Sequence, residues 1–223
     1  MHVPEQWRAY QSKVKELHPG WEYRHWTDED NLRLVETSAP HLLSFYEALP
    51  KVIMKVDMIR YVILDVMGGL YLDFDYEFLK PFDLLDRKIV LPRESDDEQE
   101  LYLGNSVMAS EPGHPFWKWV LTLLQEGVTT LGRAPLEEEV VSLTGPGLVT
   151  RTFNSNRASM PDVWVPRRHE FNAPYPKNEA EHASLIAAGE SYGIHHCHGT
   201  WRAKSLPQRA LRKLELIKSR LKR

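Results

Sequence analysis

Gly68-Gly69-Leu70-Tyr71-Leu72-Asp73-Phe74-Asp75 decides how the rest of the chain is read. Before it, Lys51–Met67 carries apolar residues at Val52, Val56, Ile59, Ile63 and Val66, spaced 4, 3, 4 and 3, with most other positions apolar too. Such a segment is a helix buried nearly all round. The two glycines stop it, because glycine takes the left-handed backbone that ends helices. Leu70 to Asp75 then reads as a strand by composition. Period two puts the carboxylates of Asp73 and Asp75 on one side of that extended segment. Among apolar neighbours, two like charges repel and each loses hydration. A divalent cation relieves both costs, and oxygen ligands suit Mg²⁺ or Mn²⁺. A bare Asp-x-Asp is common, and alone it reads first as two surface aspartates at a strand exit.

Two further groups lie outward from this stretch. Asp57 and Arg60 stand three residues apart on one face of the apolar helix, with Tyr61 beside them. They read either as a buried intrahelical ion pair or as a polar clamp, Asp57 accepting from hydroxyls and Arg60 donating to a ligand or an acidic partner. Near the end, Gly193-Ile194-His195-His196-Cys197-His198-Gly199-Thr200-Trp201 places three histidines in four positions on a strand entering a glycine turn. Imidazole suits Mn²⁺-class ions. A zinc site on His195, Cys197 and His198 is disfavoured, because no second cysteine or spaced histidine pair supplies a fourth ligand. Trp201 offers an indole N–H and a stacking face.

The remaining elements alternate in short runs, as in one α/β domain. Gln6–Leu17 is helical, Trp21–Trp26 alternates like a half-buried strand, and Thr27 with Asp30 caps the next helix. Lys88–Leu91, Tyr102–Ala109, Val163–Val165 and Tyr192–His196 read as strands. Phe116–Leu124 reads as a short helix, and Thr144–Gly147 as a turn opening another. Residues 1–207 are expected to form one domain and residues 208–223 a basic amphipathic helix.

With 223 residues, 26% of them charged and 42% hydrophobic, the chain is neither disordered nor fibrous. Its single cysteine, Cys197, excludes an internal disulfide framework. The net charge of −3 hides an asymmetry. Gln208–Arg223 holds seven Lys/Arg and one Glu, so +6 sits in the tail and −9 in the body. An acidic body is a poor nucleic-acid binder, because phosphates need a basic face. The run Glu94, Asp96, Asp97, Glu98, Glu100 reads as a solvated loop that could close over a ligand. The beginning lacks the apolar core of a signal peptide, and no run approaches the ~20 apolar residues of a membrane span. A cytoplasmic protein is expected, with peripheral membrane contact through 208–223 as one role for the tail.

Taken together, Lys55-x-Asp57-x-x-Arg60-Tyr61 and Gly68–Asp83 (GGLYLDFDYEFLKPFD) resemble the DXD block of glycosyltransferase family 32. GWEYRHWTDED, GNSVMASEPGHPFW, TGPGLVT and the ending HHCHGTW are similar to further blocks of that family, in order. The resemblance implies a GT-A-type fold, a Rossmann-like mixed sheet flanked by helices, and retaining transfer from a UDP-sugar or GDP-sugar with Mn²⁺ or Mg²⁺. It implies that Asp73 and Asp75 hold the metal and the donor diphosphate. His196 is the favoured third ligand, with His195 the alternative. Asp57, Arg60 and Tyr61 fall at donor-contacting positions, Trp201 faces the leaving phosphate, and Asn105 lies near the sugar or acceptor. The acceptor would be a glycan, a lipid-linked sugar or a protein. Family members usually open with a strand before the first helix; this chain starts after it, so the expected sheet lacks that strand. A catalytically weak nucleotide-sugar or glycan-binding module on the same fold is the alternative function.

Overall fold

A computed structural model describes residues 4–83, 87–97 and 100–197. His198, Trp201 and the basic stretch 208–223 lie outside the described residues, so the roles expected of them stay expectations. In chain order the elements are α1 (Glu5–Leu17), α2 (Asp28–Ser38), α3 (Leu43–Ala48), α4 (Val52–Val66), β1 (Gly69–Leu72), β2 (Tyr76–Phe78), β3 (Ile89–Val90) and β4 (Val107–Ser110). They continue with α5 (Pro115–Leu131), α6 (Glu137–Leu143), α7 (Pro146–Asn156), β5 (Val163–Trp164), α8 (Arg168–Phe171), α9 (Glu179–Ala188) and β6 (Gly193–His195).

One mixed sheet runs in the order β1-β4-β3-β5. β4 is antiparallel to both β1 and β3, and β3 runs parallel to β5. A separate antiparallel pair joins β2 to β6, with Tyr76 opposite His195 and Phe78 opposite Gly193. Alternation along the strands separates two cores. Tyr71, Met108 and Ile89 face one side, where α4, α5 and α7 supply Met58, Tyr61, Leu64, Phe116, Trp117 and Leu148. Leu70, Leu72, Val107, Ala109 and Val90 face the other, meeting Val14, Tyr76, Phe78 and Phe171.

Helix α4 is buried continuously from Asp57 to Leu64, as its composition requires. Its first turn departs from the expected stripe, since Val52 is 75% exposed. The exit depends on glycine at both positions. Gly68 and Gly69 have φ of +65° and +85°, and a Cβ on Gly68 would lie 2.6 Å from the Pro112 nitrogen. The reversal lays β1 directly against the sheet.

Four expectations change. Trp21–Trp26 is not a strand: it runs outside the sheet, its rings held by Lys15 over Tyr23 and Arg24 over Trp26 at 4.3 and 4.1 Å. The expected strand 70–75 ends at Leu72, because residues 73–76 close a turn and pass the chain to β2. The strand expected over 102–109 is interrupted by a bend at Asn105-Ser106. The short helix at 116–124 extends to Leu131 and stops at Gly132 in the left-handed conformation. The capping box at Thr27 and Asp30 forms as read.

Candidate active site

The two aspartates are brought together by a turn rather than by strand alternation. The Tyr76 N–H donates to the Asp73 carbonyl at 3.1 Å, and the Asp73 N–H donates across to the Ser106 carbonyl at 2.8 Å. Phe74, between them in sequence, packs against Trp7 and His25, with ring centroids 6.4 and 5.0 Å away. The turn is thus tied to the sheet through its backbone and to α1 and the 21–26 segment through its apolar residue.

Strand β6 supplies the third group. The His196 N–H donates to the Asp75 carbonyl at 3.0 Å, which aligns the end of β6 with the turn. His195 then lies with Nε2 3.3 Å from Asp75 Oδ1 and Nδ1 3.2 Å from Cys197 Sγ. Asp73, Asp75 and His195 each offer a ligand atom within 4.8 Å of the others. His196, favoured from sequence, is directed elsewhere, because adjacent residues at a strand end diverge. Its Nε2 is 2.9 Å from Glu77 Oε2, and its ring stacks on Tyr10 at 4.6 Å. The group that the structure sets beside the aspartates is therefore His195. Burial opposes a charge on His195, yet the hydrogen bond to Asp75, the contact with Cys197 and the charge of Asp73 outweigh it and push its pKa up to about 10. A metal ion ligated by His195 would have to displace that proton, because only the neutral imidazole is a ligand. Two carboxylates and an imidazole form a donor set that fits Mn²⁺ or Mg²⁺.

Behind the turn lies a largely buried polar network. Arg60, 3% exposed, gives Nη2 to Asp57 at 3.1 Å, and Nη1 to Asp73 Oδ1 at 2.9 Å and to the Asn105 carbonyl at 2.7 Å. Asp57, 4% exposed, also accepts from Asn105 Nδ2 at 3.0 Å and from the Thr144 hydroxyl at 2.8 Å. The Tyr61 hydroxyl donates to the Thr144 carbonyl at 2.7 Å, and Asn105 Nδ2 also lies 3.2 Å from its oxygen. Tyr71 donates to Asp73 Oδ1 at 3.0 Å. Burial pulls the Arg60 pKa down, but Asp73, Tyr71 and Asp57 more than reverse this and hold it above the ordinary guanidinium value. Burial raises the Asp57 carboxyl against the opposing pull of Arg60. The intrahelical ion pair read from sequence exists, and it extends to Asp73. The bend at Asn105-Ser106 matters here, since it turns consecutive carbonyls toward Arg60 and the Asp73 N–H.

Sequence reasoning did not single out Tyr71, Thr144 or Glu94. Tyr71 carried strand composition and Thr144 turn composition, and neither reveals a hydroxyl donor aimed at an aspartate 2 or 87 residues away. Glu94 was assigned to a solvated loop. It is instead half-buried, its carboxyl lying over Gly104.

Residues 4–92 match the family model described as "Glycosyltransferase sugar-binding region containing DXD motif". The chain is 29% identical over 160 residues to inositol phosphoceramide mannosyltransferase 2 of Schizosaccharomyces pombe, covering 72% of this chain and 45% of that one. Inositol phosphoceramide mannosyltransferase 3 of the same yeast is 35% identical, covering 51% of this chain and 31% of that one. Mannosyl phosphorylinositol ceramide synthase SUR1 of Saccharomyces cerevisiae is 33% identical, covering 55% and 31%. The chain thus spans less than half the length of these relatives. Among solved structures, the PaToxG glycosyltransferase superposes with a TM-score of 0.53 at 16% identity, covering 72% of this chain and 66% of that one. The mixed sheet flanked by helices is the GT-A-type α/β fold that the sequence resemblance implied.

Proposed function

From a chain that carries the sugar-binding region of the DXD-containing glycosyltransferases, we propose a metal-dependent retaining hexosyltransferase that uses a nucleoside diphosphate sugar. The observation that carries this reading is the meeting of Asp73, Asp75 and His195, with Asp73 fixed from behind by buried Arg60. Those three residues would hold Mn²⁺ or Mg²⁺, which when bound neutralises the diphosphate and stabilises it as a leaving group. Arg60 and Tyr71 both donate to Asp73 Oδ1, so the carboxylate orientation is set before any ligand arrives. Asp57, Asn105, Tyr61 and Thr144 act one layer further back. Their mutual hydrogen bonds satisfy Asp57 and hold the Arg60 fork in place. Retention of anomeric configuration rests on the resemblance to family 32.

The relatives are named for mannosyl transfer to inositol phosphoceramide, and mannose with an inositol-phosphate lipid is accordingly the first donor sugar and acceptor class to assay. Among the described residues no helix is long and apolar enough to cross a membrane. The test is release of sugar from GDP-mannose and UDP-glucose, with and without Mn²⁺, by the wild-type chain and by Asp75→Ala. Turnover that requires Mn²⁺ and drops on the order of 10³-fold in the variant is expected, several kcal/mol of charge stabilisation being lost. Nucleotide binding with no sugar release would favour a binding module. Full turnover by Asp75→Ala would remove the metal-enzyme reading.

A further inference from the structure

The carboxylates around the candidate metal site differ in one respect. Asp57 accepts from three side chains, and Asp73 from Arg60 and Tyr71. Among the described residues, no hydrogen bond or ion pair reaches the carboxylate of Glu94. Arg168, whose charge is felt at Glu94, gives Nη1 to Asp96 at 2.7 Å instead. The Glu94 N–H is fixed to the Tyr102 carbonyl at 2.8 Å, and the Gly104 N–H to the Pro92 carbonyl at 2.9 Å, so backbone hydrogen bonds hold the two segments together. The side chain then lies flat over Gly104. A Cβ there would stand 2.7 Å from Glu94 Oε1 and 2.9 Å from its Cγ. Glycine at 104 thus makes the room in which the carboxyl rests, next to the Asn105-Ser106 bend that receives Arg60 and the Asp73 N–H.

We propose that Glu94 is a specificity-determining residue that accepts hydrogen bonds from hydroxyls of the transferred sugar. The assignment rests on the function proposed above, because it needs a donor diphosphate at Asp73, Asp75 and His195. A half-buried carboxylate with no protein donor takes its hydrogen bonds from solvent, and hydroxyls of a polyol can replace that water. Burial raises the Glu94 carboxyl, His195 draws it back, and Asp73 raises it again, so Glu94 shares the electrostatic field of both candidate ligands. It is not a fourth member of the metal set, which among the described residues contains Asp73, Asp75 and His195. A sugar carried on a diphosphate at that set begins one phosphate away from the ion. Glu94 is tied to that set through Gly104, the residue before the Asn105 carbonyl that receives the guanidinium paired with Asp73.

The experiment compares Kd values in Mn²⁺ for GDP against GDP-mannose, and for UDP against UDP-glucose. It uses the wild-type chain, Glu94→Gln, Glu94→Ala and Gly104→Ala, with tryptophan fluorescence as the readout. For the pair that binds, the free diphosphate should change less than about twofold, while the preference for the sugar nucleotide over the diphosphate falls by roughly 10- to 100-fold in Glu94→Ala, as for hydrogen bonds to a charged group. Gly104→Ala should do the same by displacing the carboxyl without removing it. The preference is a ratio within one variant, so a general loss of stability cancels. An unchanged ratio, or an equal loss for both ligands, overturns the assignment and leaves the function standing. A wild-type chain that binds none of the four ligands overturns both.

Discussion

The antiparallel pair of β2 and β6 carries two carboxylate–imidazole clusters made from nearly the same residue types. In one, Glu77 lies between His182 and His196, each Nε2 at 2.9 Å from its own carboxylate oxygen. Tyr10 stacks on His196, and Tyr175 meets the same ring edge-on at 5.2 Å. In the other, Asp73 and Asp75 face His195. The first cluster has one acid for two bases and spends both carboxylate oxygens inside the protein. The second has two acids for one base, with Arg60 bound to Asp73 from behind. Residue type therefore does not separate the Glu77 cluster from the candidate metal site. What differs is how the carboxylates are used: both Glu77 oxygens go to imidazoles, whereas Asp73 and Asp75 converge with His195 on one point.

The largest expected effect comes from removing the cation that the two regions behind and within the site share. Arg60→Ala leaves Asp57 and Asp73 without their buried partner, and loss of one member of a buried pair costs about 3–5 kcal/mol. Urea unfolding should show that loss, and Mn²⁺ affinity should fall with it as Asp73 loses its orientation. Wild-type-like unfolding would mean that the network does not brace the site. Next in size is the contrast between adjacent histidines. His195→Ala should weaken Mn²⁺ binding by at least the ~10–100-fold known for residues that orient ligands, and should also lower stability at neutral pH, where the fold favours protonated His195. His196→Ala should leave Mn²⁺ affinity near wild type and cost about 1–3 kcal/mol, because one side of the partly buried Glu77 carboxylate loses its donor. Calorimetric titration of Mn²⁺ beside urea melts decides the pair of predictions. Reversed results would exchange the roles of the two clusters.

How far the sequence reveals this arrangement depends on the range of the interactions concerned. Helix α4, the glycine exit at 68–69 and the Thr27 cap are set by neighbours a few residues apart, and periodicity or capping chemistry identifies them. Asp73 and Asp75 were legible as a pair, but the reason for their closeness was not. The six residues Leu70–Asp75 read as one strand, whereas the Ser106 carbonyl and the Phe74 packing turn the chain after Leu72. The choice between His195 and His196 was beyond local reading. The register that sets His195 opposite Tyr76 puts His195 rather than His196 beside the aspartates, and register comes from tertiary pairing. Glu94 was obscured for a similar reason. An acidic run looks solvated, and only the fold reveals that one member rests over a glycine ten residues further on.

The smallest effect tests the Glu77 cluster by pH. Burial would raise the Glu77 carboxyl, but hydrogen bonds and charge from His196 and His182 dominate and hold it below the usual carboxylate range. A carboxyl whose folded pKa is depressed stabilises the fold wherever the unfolded group is already ionised. That contribution is complete above the ordinary glutamate value of about 4.3, and it is lost as pH falls through the lower folded value. Glu77→Gln should therefore reduce stability at pH 7 and flatten the acid limb of a stability–pH profile below about pH 4.5 relative to wild type. Glu77 is only partly buried, so solvent screening keeps the difference modest. Parallel profiles for the two proteins would show that the Glu77 cluster contributes packing alone. The same profile for Asp75→Asn sharpens the contrast. Asp75 is the hydrogen-bonding partner that raises His195 to about 10, so in the absence of metal this variant should be less stable than wild type at neutral pH, a loss that shrinks as pH rises toward about 10, whereas the Glu77→Gln loss shrinks as pH falls.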